Sequence, residues 1–224
     1  YIRGQHADYE YWAAQGNPGW GWNDVKPYFL KAEHNERGAD DWHATGGPLN
    51  VADLRSPNRL SSLFLQAAQS AGLPANSDFN GPSQEGVGMF QVTQRNGERC
   101  SAAKAYLTPN LGRSNLQVLT GAQVTRVLFD GKRAVGVEIQ QGGARRDLRA
   151  RREVLLSAGA LQSPQLLQLS GIGPGAQLQQ LGIDVLQDLP GVGRNLHDHL
   201  DSIIVVHAPR MNESFGLSLG GAAR

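Results

Sequence analysis

The stretch from residue 153 to 164 (EVLLSAGALQSP) holds the residues whose types and spacing best suit a binding site. A nearly all-apolar run over 153–157 predicts a strand covered on both faces, and three small residues, Ala158-Gly159-Ala160, follow it. Ser163 predicts a helix N-cap, with Pro164 at the first helical position. Ligands bind open α/β sheets at such strand ends, where free N–H groups favour an anion. Close strand-to-helix packing without a ligand is an equally supported alternative.

Histidines raise the question of a metal site. His197 and His199 flank Asp198 and could lie on one side of a strand. A first-row metal needs a third protein ligand, and no sequence pattern supplies one. His43 is as isolated in the sequence as the three remaining histidines, His6, His34 and His207. We therefore predict no metal site, and we expect His197 and His199 to form hydrogen bonds in a loop or, as the next alternative, to line a cofactor pocket.

Several motifs for other chemistry are missing from the sequence. The glycine-rich stretches at 19–21, 171–175 and 191–196 lack either the preceding strand or the third glycine of a dinucleotide fingerprint, which weakens an NAD-dependent dehydrogenase. There is no Gly-x-Ser-x-Gly elbow, and nothing beside Cys100 marks it as reactive. The arginines between 145 and 152 have no aromatic neighbours to stack on bases, so a solvated strand face is the better interpretation.

Length and composition predict a globular chain with no general partner preference. The 224 residues suffice for one large domain or two small ones, and a net charge of +1 gives no attraction to nucleic acid or anionic surfaces. No apolar run is long enough to span a bilayer, and no signal peptide is visible. The single cysteine suits a reducing compartment. We expect a cytoplasmic location, with a peripheral contact of the parent protein with the inner membrane left open.

The predicted elements indicate an α/β chain, α+β overall. The first third is helical and rich in loops, and it is followed by strands and then by a strand–helix–helix–strand succession. Helices are predicted from Asn23 to Lys31, with Pro27 in the first turn, from Ser56 to Gly72, from Ser101 to Leu107, from Ser163 to Gly171 and over 177–181. Strands are predicted over 86–92, 116–120, 123–129, 134–140, 146–149, 153–157 and 183–186, with a meander between 116 and 149.

Residues 159–173 (GALQSPQLLQLSGIG) resemble the second signature of the glucose-methanol-choline (GMC) oxidoreductases. Five more segments resemble the same family, in order along essentially the whole chain: 1–4 (YIRG), 16–20 (GNPGW), 43–49 (HATGGPL), 99–107 (RCSAAKAYL) and 191–199 (GVGRNLHDH). Within the family, the sequence is most similar to bacterial choline-dehydrogenase-like proteins and aliphatic alcohol dehydrogenases.

The resemblance implies an FAD enzyme that takes a hydride from an alcohol carbon and releases an aldehyde. It implies part of a Rossmann-like FAD-binding domain interleaved with part of a substrate-binding domain. In the family, the strand that ends at Ala158 and Gly159 approaches the adenosine side of FAD. The backbone N–H and C=O at the position of Val124 meet the adenine edge, so its side chain matters little. We therefore predict that Val124, Ala158 and Gly159 line the adenosine pocket.

The same resemblance places the family's Gly-x-Gly-x-x-Gly fingerprint before Tyr1 and its catalytic histidine beyond Arg224. We expect an internal fragment, inactive alone, in which no catalytic residue can be assigned. The implied division is a cap and substrate-domain portion over 1–99, the middle of the FAD domain over 100–199, and the start of a substrate-domain sheet over 200–224. A strand at 201–206 in that incomplete sheet would leave an open edge, which predicts self-association of the fragment.

A rival interpretation from another functional class also stays open. The missing fingerprint and the missing base suit a free-standing domain that binds a nucleotide or a protein without chemistry. For the enzyme interpretation, the sequence leaves undetermined which alcohol is oxidised, whether oxygen or a membrane carrier takes the electrons, whether the flavin is covalently held, and which oligomer forms.

Overall fold

The computed structural model describes residues 1–203, which form two compact units that divide between Gln117 and Val118. The domain boundaries predicted at 99/100 and 199/200 follow the family's functional parts and stay a prediction. The strand predicted at 201–206 lies mostly outside the described residues, and so does the sheet edge on which the expected self-association depends. Between residues 1 and 203, no helix combines the length and the apolar character needed to cross a bilayer.

The first unit contains three α-helices and two pairs of very short strands. The helices are α1 (His6–Ala14), α2 (Trp22–Ala32) and α3 (Arg59–Ser70). Strand β1 (Glu33–Asn35) pairs in parallel with β2 (Leu49–Val51), and β3 (Gln94–Arg95) pairs antiparallel with β4 (Glu98–Arg99). A π-helical turn (Ala103–Leu107) and a 3-10 turn (Thr108–Asn110) follow. The α-helices predicted around 24–31 and after 56 are present, whereas the helix predicted from Ser101 is this π-turn.

Helix α2 begins earlier than its sequence predicts. The Asp24 carboxylate accepts the N–H of Gly21 at 3.2 Å, and Glu10 of α1 accepts the N–H of Trp22 at 2.9 Å. These acceptors satisfy backbone donors ahead of Asn23, so the helix starts at Trp22 and Pro27 lies in its interior, not in the first turn. The cap predicted at Asn23 was wrong, because two carboxylates, Asp24 within α2 and Glu10 in α1, determine where the helix starts.

The strand predicted over 86–92 does not form as one element. Its two ends make isolated bridges with different partners, Val87 with Ala75 and Val92 with Ala52. Between them, the backbone at Gly88 lies directly against the carbonyl oxygen of Asn76. A continuous strand needs one partner that runs alongside it, and this segment instead crosses from one neighbour to another.

The second unit is built on the predicted antiparallel meander. Strands β5 (Gln123–Asp130), β6 (Arg133–Gln141) and β7 (Ala144–Arg149) pair in sequence order, so the three predicted strands at these positions are confirmed. The tight turns use glycines with positive φ, +56° at Gly131 and +58° at Gly142. Residues 116–120 are not a strand, and the carbonyl of Thr120 instead accepts the Gln141 side-chain amide at 2.8 Å.

Helix α4 (Gly159–Leu169) packs on β5 and begins four residues before Ser163. Ser163 is therefore not the N-cap; its hydroxyl accepts the N–H of Ala158 at 3.0 Å from within the helix, and Pro164 lies in the helix interior. The chain continues through β8 (Ile172–Gly173), α5 (Gly175–Gln180) and β9 (Gln187–Asp188), with β8 and β9 parallel. The helix predicted over 177–181 is thus α5. The strand predicted over 183–186 does not form at those residues; the chain first pairs as a strand at Gln187, in β9.

The apolar run over 153–157 is the clearest departure from prediction. It has no strand hydrogen bonds to any described segment, and Leu155 is 80% exposed. A buried strand of a parallel sheet exists only when a second backbone pairs with it, and residues 1–203 supply none. The composition of this run favours a strand, but the strand predicted over 153–157 does not form within residues 1–203.

We expect Gly88→Ala to destabilise the first unit, because the added methyl group would overlap the Asn76 carbonyl oxygen. The free energy of unfolding from urea denaturation should fall by about 2 kcal/mol. Gly112→Ala is the matched control, since nothing lies within 4 Å of its added methyl. Equal midpoints for the two variants would contradict the close approach at Gly88.

Candidate functional site

A cleft of about 720 Å³ opens between the outer edge of β5 and helix α4 in the second unit. The sheet supplies Ala122, Gln123, Val124, Thr125, Arg126, Glu138 and Arg145, and the segment that leads into and forms α4 supplies Ala158, Gln162, Gln165, Leu166 and Leu169. Of the three predicted site residues, Val124 and Ala158 line this one cleft from opposite walls. Gly159 is the next residue after Ala158 and begins α4, but it does not line the cleft.

A β-bulge at Thr125 sets the direction of the Val124 backbone. Arg126 is opposite Glu138 and Val124 is opposite Ile139, so β5 uses two residues where β6 uses one. The N–H of Val127 points away from β6, because it donates to the hydroxyl of Ser170 at 2.8 Å. Counting back through the bulge, the N–H and C=O of Val124 also point to the free edge. The edge therefore offers the Val124 N–H as a donor, beside the Val124 carbonyl, which also accepts the Gln123 side-chain amide at 3.2 Å.

The opposite wall is shaped by small residues at the start of α4. Ala158 leaves room beside the β5 edge because it has no side chain beyond Cβ. Gly159 has φ +89°, a left-handed conformation that residues with a side chain rarely adopt. The N–H of Ala158 is already bonded to Ser163, so the helix start offers an anion fewer free donors than its sequence suggested.

One carboxylate and two guanidinium groups give the cleft its charge. Glu138 accepts the Thr125 hydroxyl at 2.6 Å and Arg126 at 3.2 Å, and its distance to Arg145 is 4.0 Å. The Thr125 hydrogen bond is the main reason that the pKa of Glu138 lies below its ordinary value; burial opposes this effect, and the charges of Arg126 and Arg145 add to it. With Glu138 ionised, the three charged groups sum to one positive charge.

The first unit contains a buried ion cluster that sequence patterns did not reveal. The Arg3 guanidinium donates to the Glu33 carboxylate at 2.9 Å and to the Trp42 carbonyl at 2.6 Å. Glu33 is fully buried, and it also accepts the N–H of Ala44 at 3.1 Å. Among residues 1–203, every buried side-chain nitrogen and oxygen has a hydrogen-bond partner. The cluster ties residues far apart in the chain to one acidic group.

His43, which is isolated in the sequence, belongs to this cluster in the structure. Its Nδ1 lies 3.2 Å from the Glu33 carboxylate, and its Nε2 lies 2.9 Å from Asp78. Because both ring nitrogens are engaged, His43 has no free atom with which to take a proton from a substrate. In the sequence, His43 was notable only as the first residue of the HATGGPL segment. That segment does not indicate that Glu33 and Asp78, 10 and 35 residues away, are its partners.

His197 and His199 do not lie in the cleft, and both are exposed. Their positions indicate no role for them in this cleft. Within the described residues, no group of three or more His, Cys, Asp or Glu side chains is arranged to hold a metal ion.

Comparisons with known proteins agree on one family. The family model for GMC oxidoreductase matches residues 1–201. The oxygen-dependent choline dehydrogenase of Brucella anthropi is 46% identical over 204 residues, which are 91% of this chain and 37% of the relative. The alcohol dehydrogenase (acceptor) of Pseudomonas putida is 45% identical over 211 residues, 93% of this chain and 38% of the relative. The chain thus spans well under half the length of these relatives.

Solved structures show the same fold over most of the chain. The pyridoxine 4-oxidase from Mesorbium loti superimposes with a TM-score of 0.77 at 36% identity, covering 85% of this chain and 38% of that one. An FAD-dependent oxidoreductase from Chaetomium thermophilum superimposes with a TM-score of 0.79 at 35% identity, covering 85% and 36%. These likenesses confirm the α/β fold class predicted from the sequence.

Glu33→Gln tests the buried ion cluster, because the amide leaves the Arg3 charge buried without a counter-ion. We expect the free energy of unfolding of the first unit to fall by about 3 kcal/mol or more in urea denaturation. The control is Asp53→Asn in the exposed pair with Arg37, whose side chains are 61% and 41% exposed; its effect should stay within about 0.5 kcal/mol. Similar losses in both variants would refute a special role for Glu33.

The lowered pKa of Glu138 gives stability that depends on pH. Its ionised form is favoured in the folded state, so the contribution is complete above the ordinary pKa of glutamate and is lost as pH falls through the lower, folded pKa. Removing the hydroxyl in Thr125→Val should raise the pKa of Glu138 and shrink this contribution. NMR titration of the Glu138 carboxyl in both chains measures the effect, and an identical midpoint would show that Thr125 is not its cause.

Proposed function

The chain belongs to the GMC oxidoreductase family, and we propose that it forms part of an FAD-dependent enzyme that oxidises a primary alcohol to an aldehyde. The observation that carries the proposal is the strand edge at Val124, which faces small residues across a cleft in a chain whose similar relatives are choline and alcohol dehydrogenases. We further propose that the chain is an internal fragment of that enzyme and is inactive alone. The relatives' greater length supports this proposal.

The residues of the cleft fit the adenosine half of FAD. A donor and an acceptor side by side on a strand edge match the N1 acceptor and N6 donor of adenine. The volume of about 720 Å³ is within the usual range for small-molecule sites, and Leu166 and Leu169 supply apolar surface for a base. When bound, FAD supplies the chemistry by accepting the hydride that leaves the alcohol carbon.

Each predicted site residue has a defined part in this proposal. Val124 binds and orients the adenine through its backbone, so its side chain is free to vary. Because its side chain is a single methyl group, Ala158 leaves space at the opposite wall for the base to enter. Gly159 permits the sharp entry into α4 that sets Ala158 beside β5. None of the three can move a proton, so we assign no catalytic residue in this chain.

The rest of the proposal concerns the whole enzyme. A primary alcohol is its substrate, and residues outside this chain take the alcohol proton as hydride leaves. We propose a cytoplasmic location, which the single cysteine supports. Chemistry and electron acceptor therefore belong to the parent protein, and this chain contributes cofactor binding.

Fluorescence anisotropy of FAD titrated with the purified 224-residue chain, with AMP as competitor, tests the adenosine site. We expect weak FAD binding that AMP displaces, because the family's pyrophosphate loop is not in this sequence. Ala158→Phe should abolish binding by filling the cleft. The exposed Ala160→Phe, which does not line the cleft, should preserve it.

Four outcomes would count against the proposal. Tight FAD binding would mean that the chain holds a phosphate site of its own. Binding that survives Ala158→Phe would place the nucleotide elsewhere. Oxidation of choline or another primary alcohol by this chain with an artificial electron acceptor would overturn its assignment as an inactive fragment. Nucleotide binding that the parent enzyme does not share would favour the non-catalytic domain instead.

A further inference from the structure

The sequence contains two Asn-Gly dipeptides, Asn80-Gly81 and Asn96-Gly97. Asparagine is among the chemically labile residues, and a following glycine increases its reactivity because no side chain shields the backbone nitrogen. Asn80 and Gly81 are buried, whereas Asn96 and Gly97 are exposed. The two dipeptides therefore combine the same chemistry with different environments, and each serves as a reference for the other.

Asn96 and Gly97 form the two-residue turn of the β3–β4 hairpin. Arg95 pairs with Glu98 across it, and both turn residues have positive φ, +54° at Asn96 and +81° at Gly97, as in a type I′ turn. Among residues 1–203, no hydrogen bond engages the Asn96 carboxamide or the Gly97 N–H. The carboxamide is therefore free to turn toward the backbone nitrogen of the next residue.

At Asn80, hydrogen bonds hold both groups that would have to react. The side-chain oxygen of Asn80 accepts the Arg3 N–H at 2.7 Å, and its amide nitrogen donates to the Tyr1 carbonyl at 3.3 Å. The N–H of Gly81 donates to the Asp78 carbonyl at 3.4 Å. Because these bonds must break before the two groups can meet, we expect the fold to slow the reaction at Asn80 at least about tenfold.

Arg55 is the cation beside the exposed turn. It lines the same open cleft as Asn96 and Gly97, and its Nη1 lies 3.0 Å from the position that a Cβ on Gly97 would occupy. A positive charge there favours the deprotonated form of the Gly97 nitrogen and the oxyanion that forms when this nitrogen attacks a carbonyl. The open cleft also lets water reach the turn.

We propose that Asn96 is a site of spontaneous deamidation in the folded chain and that Asn80 is protected from it. The Gly97 nitrogen loses its proton to solvent and attacks the side-chain carbonyl carbon of Asn96. The new C–N bond closes a five-membered succinimide ring, and the carboxamide nitrogen takes a proton from solvent and leaves as ammonia. Water then opens the ring at either carbonyl and leaves aspartate or isoaspartate. The hairpin gains a negative charge, and isoaspartate also lengthens its main chain.

Peptide mapping by mass spectrometry tests this site after incubation of the full chain at mildly alkaline pH in water enriched in heavy oxygen. We expect the Asn96 peptide to take up the label at least about ten times faster than the Asn80 peptide. In urea that unfolds the chain, the two peptides should react at similar rates. Asn96→Gln should abolish labelling of its own peptide, because glutamine cannot close a five-membered ring, and should leave Asn80 unchanged.

A second pair of variants tests the part of Arg55. Arg55→Gln should slow deamidation of Asn96 about fivefold. Arg37→Gln is the control, since Arg37 lines the same cleft but is paired with Asp53, and it should leave the rate unchanged. Equal rates at Asn96 and Asn80 in the folded chain, or an Asn96 that reacts only in urea, would overturn the inference. An unchanged rate in Arg55→Gln, with a native circular dichroism spectrum, would overturn the part assigned to Arg55.

Discussion

Backbone groups that leave water need hydrogen-bond partners, and this requirement at the outer edge of β5 organises the second unit. On its inner side, β5 is satisfied by β6. On its outer side, Ser170 at the end of α4 accepts the N–H of Val127, and the same hydroxyl donates to the Leu166 carbonyl at 2.5 Å. This bridge holds α4 against the strand. At Val124 the edge faces the cleft, because the Thr125 bulge turns the Val124 backbone outward, and only the Gln123 side-chain amide is bonded to it, at the carbonyl.

The first unit meets a similar requirement with charges. Burying Glu33 is costly unless its charge is neutralised and its oxygens are bonded, and Arg3, His43 and the Ala44 N–H together meet both conditions. Glu33 directly follows α2, and its partners come from the loop after β1 and from the first residues of the chain. A carboxylate that binds all of them fixes their relative positions more strictly than apolar packing would. The two units are thus held together by different interactions: hydrogen bonds at a strand edge in the second unit, and a buried carboxylate with its partners in the first.

Sequence reasoning was strongest where structure is local. The meander was predictable because alternating β-formers and glycine turns act within a few residues of each other, and the family was recognisable from contiguous motifs. Prediction failed where the local structure depends on a residue that is distant in the sequence. Ser163 has the sequence pattern of an N-cap, yet α4 starts at Gly159, and the Ser163 hydroxyl accepts the N–H of Ala158 from within the helix. The run over 153–157 has a strand's composition and no strand to pair with, and nothing local to His43 reveals Glu33 or Asp78.

The same distinction explains why the candidate site is hard to see in a sequence. A site made by the backbone of Val124 places no demand on side-chain identity there, so no motif marks it. Its geometry depends instead on neighbouring residues: the bulge at Thr125 sets the direction of the Val124 backbone, and Ser170 sets the position of the facing helix.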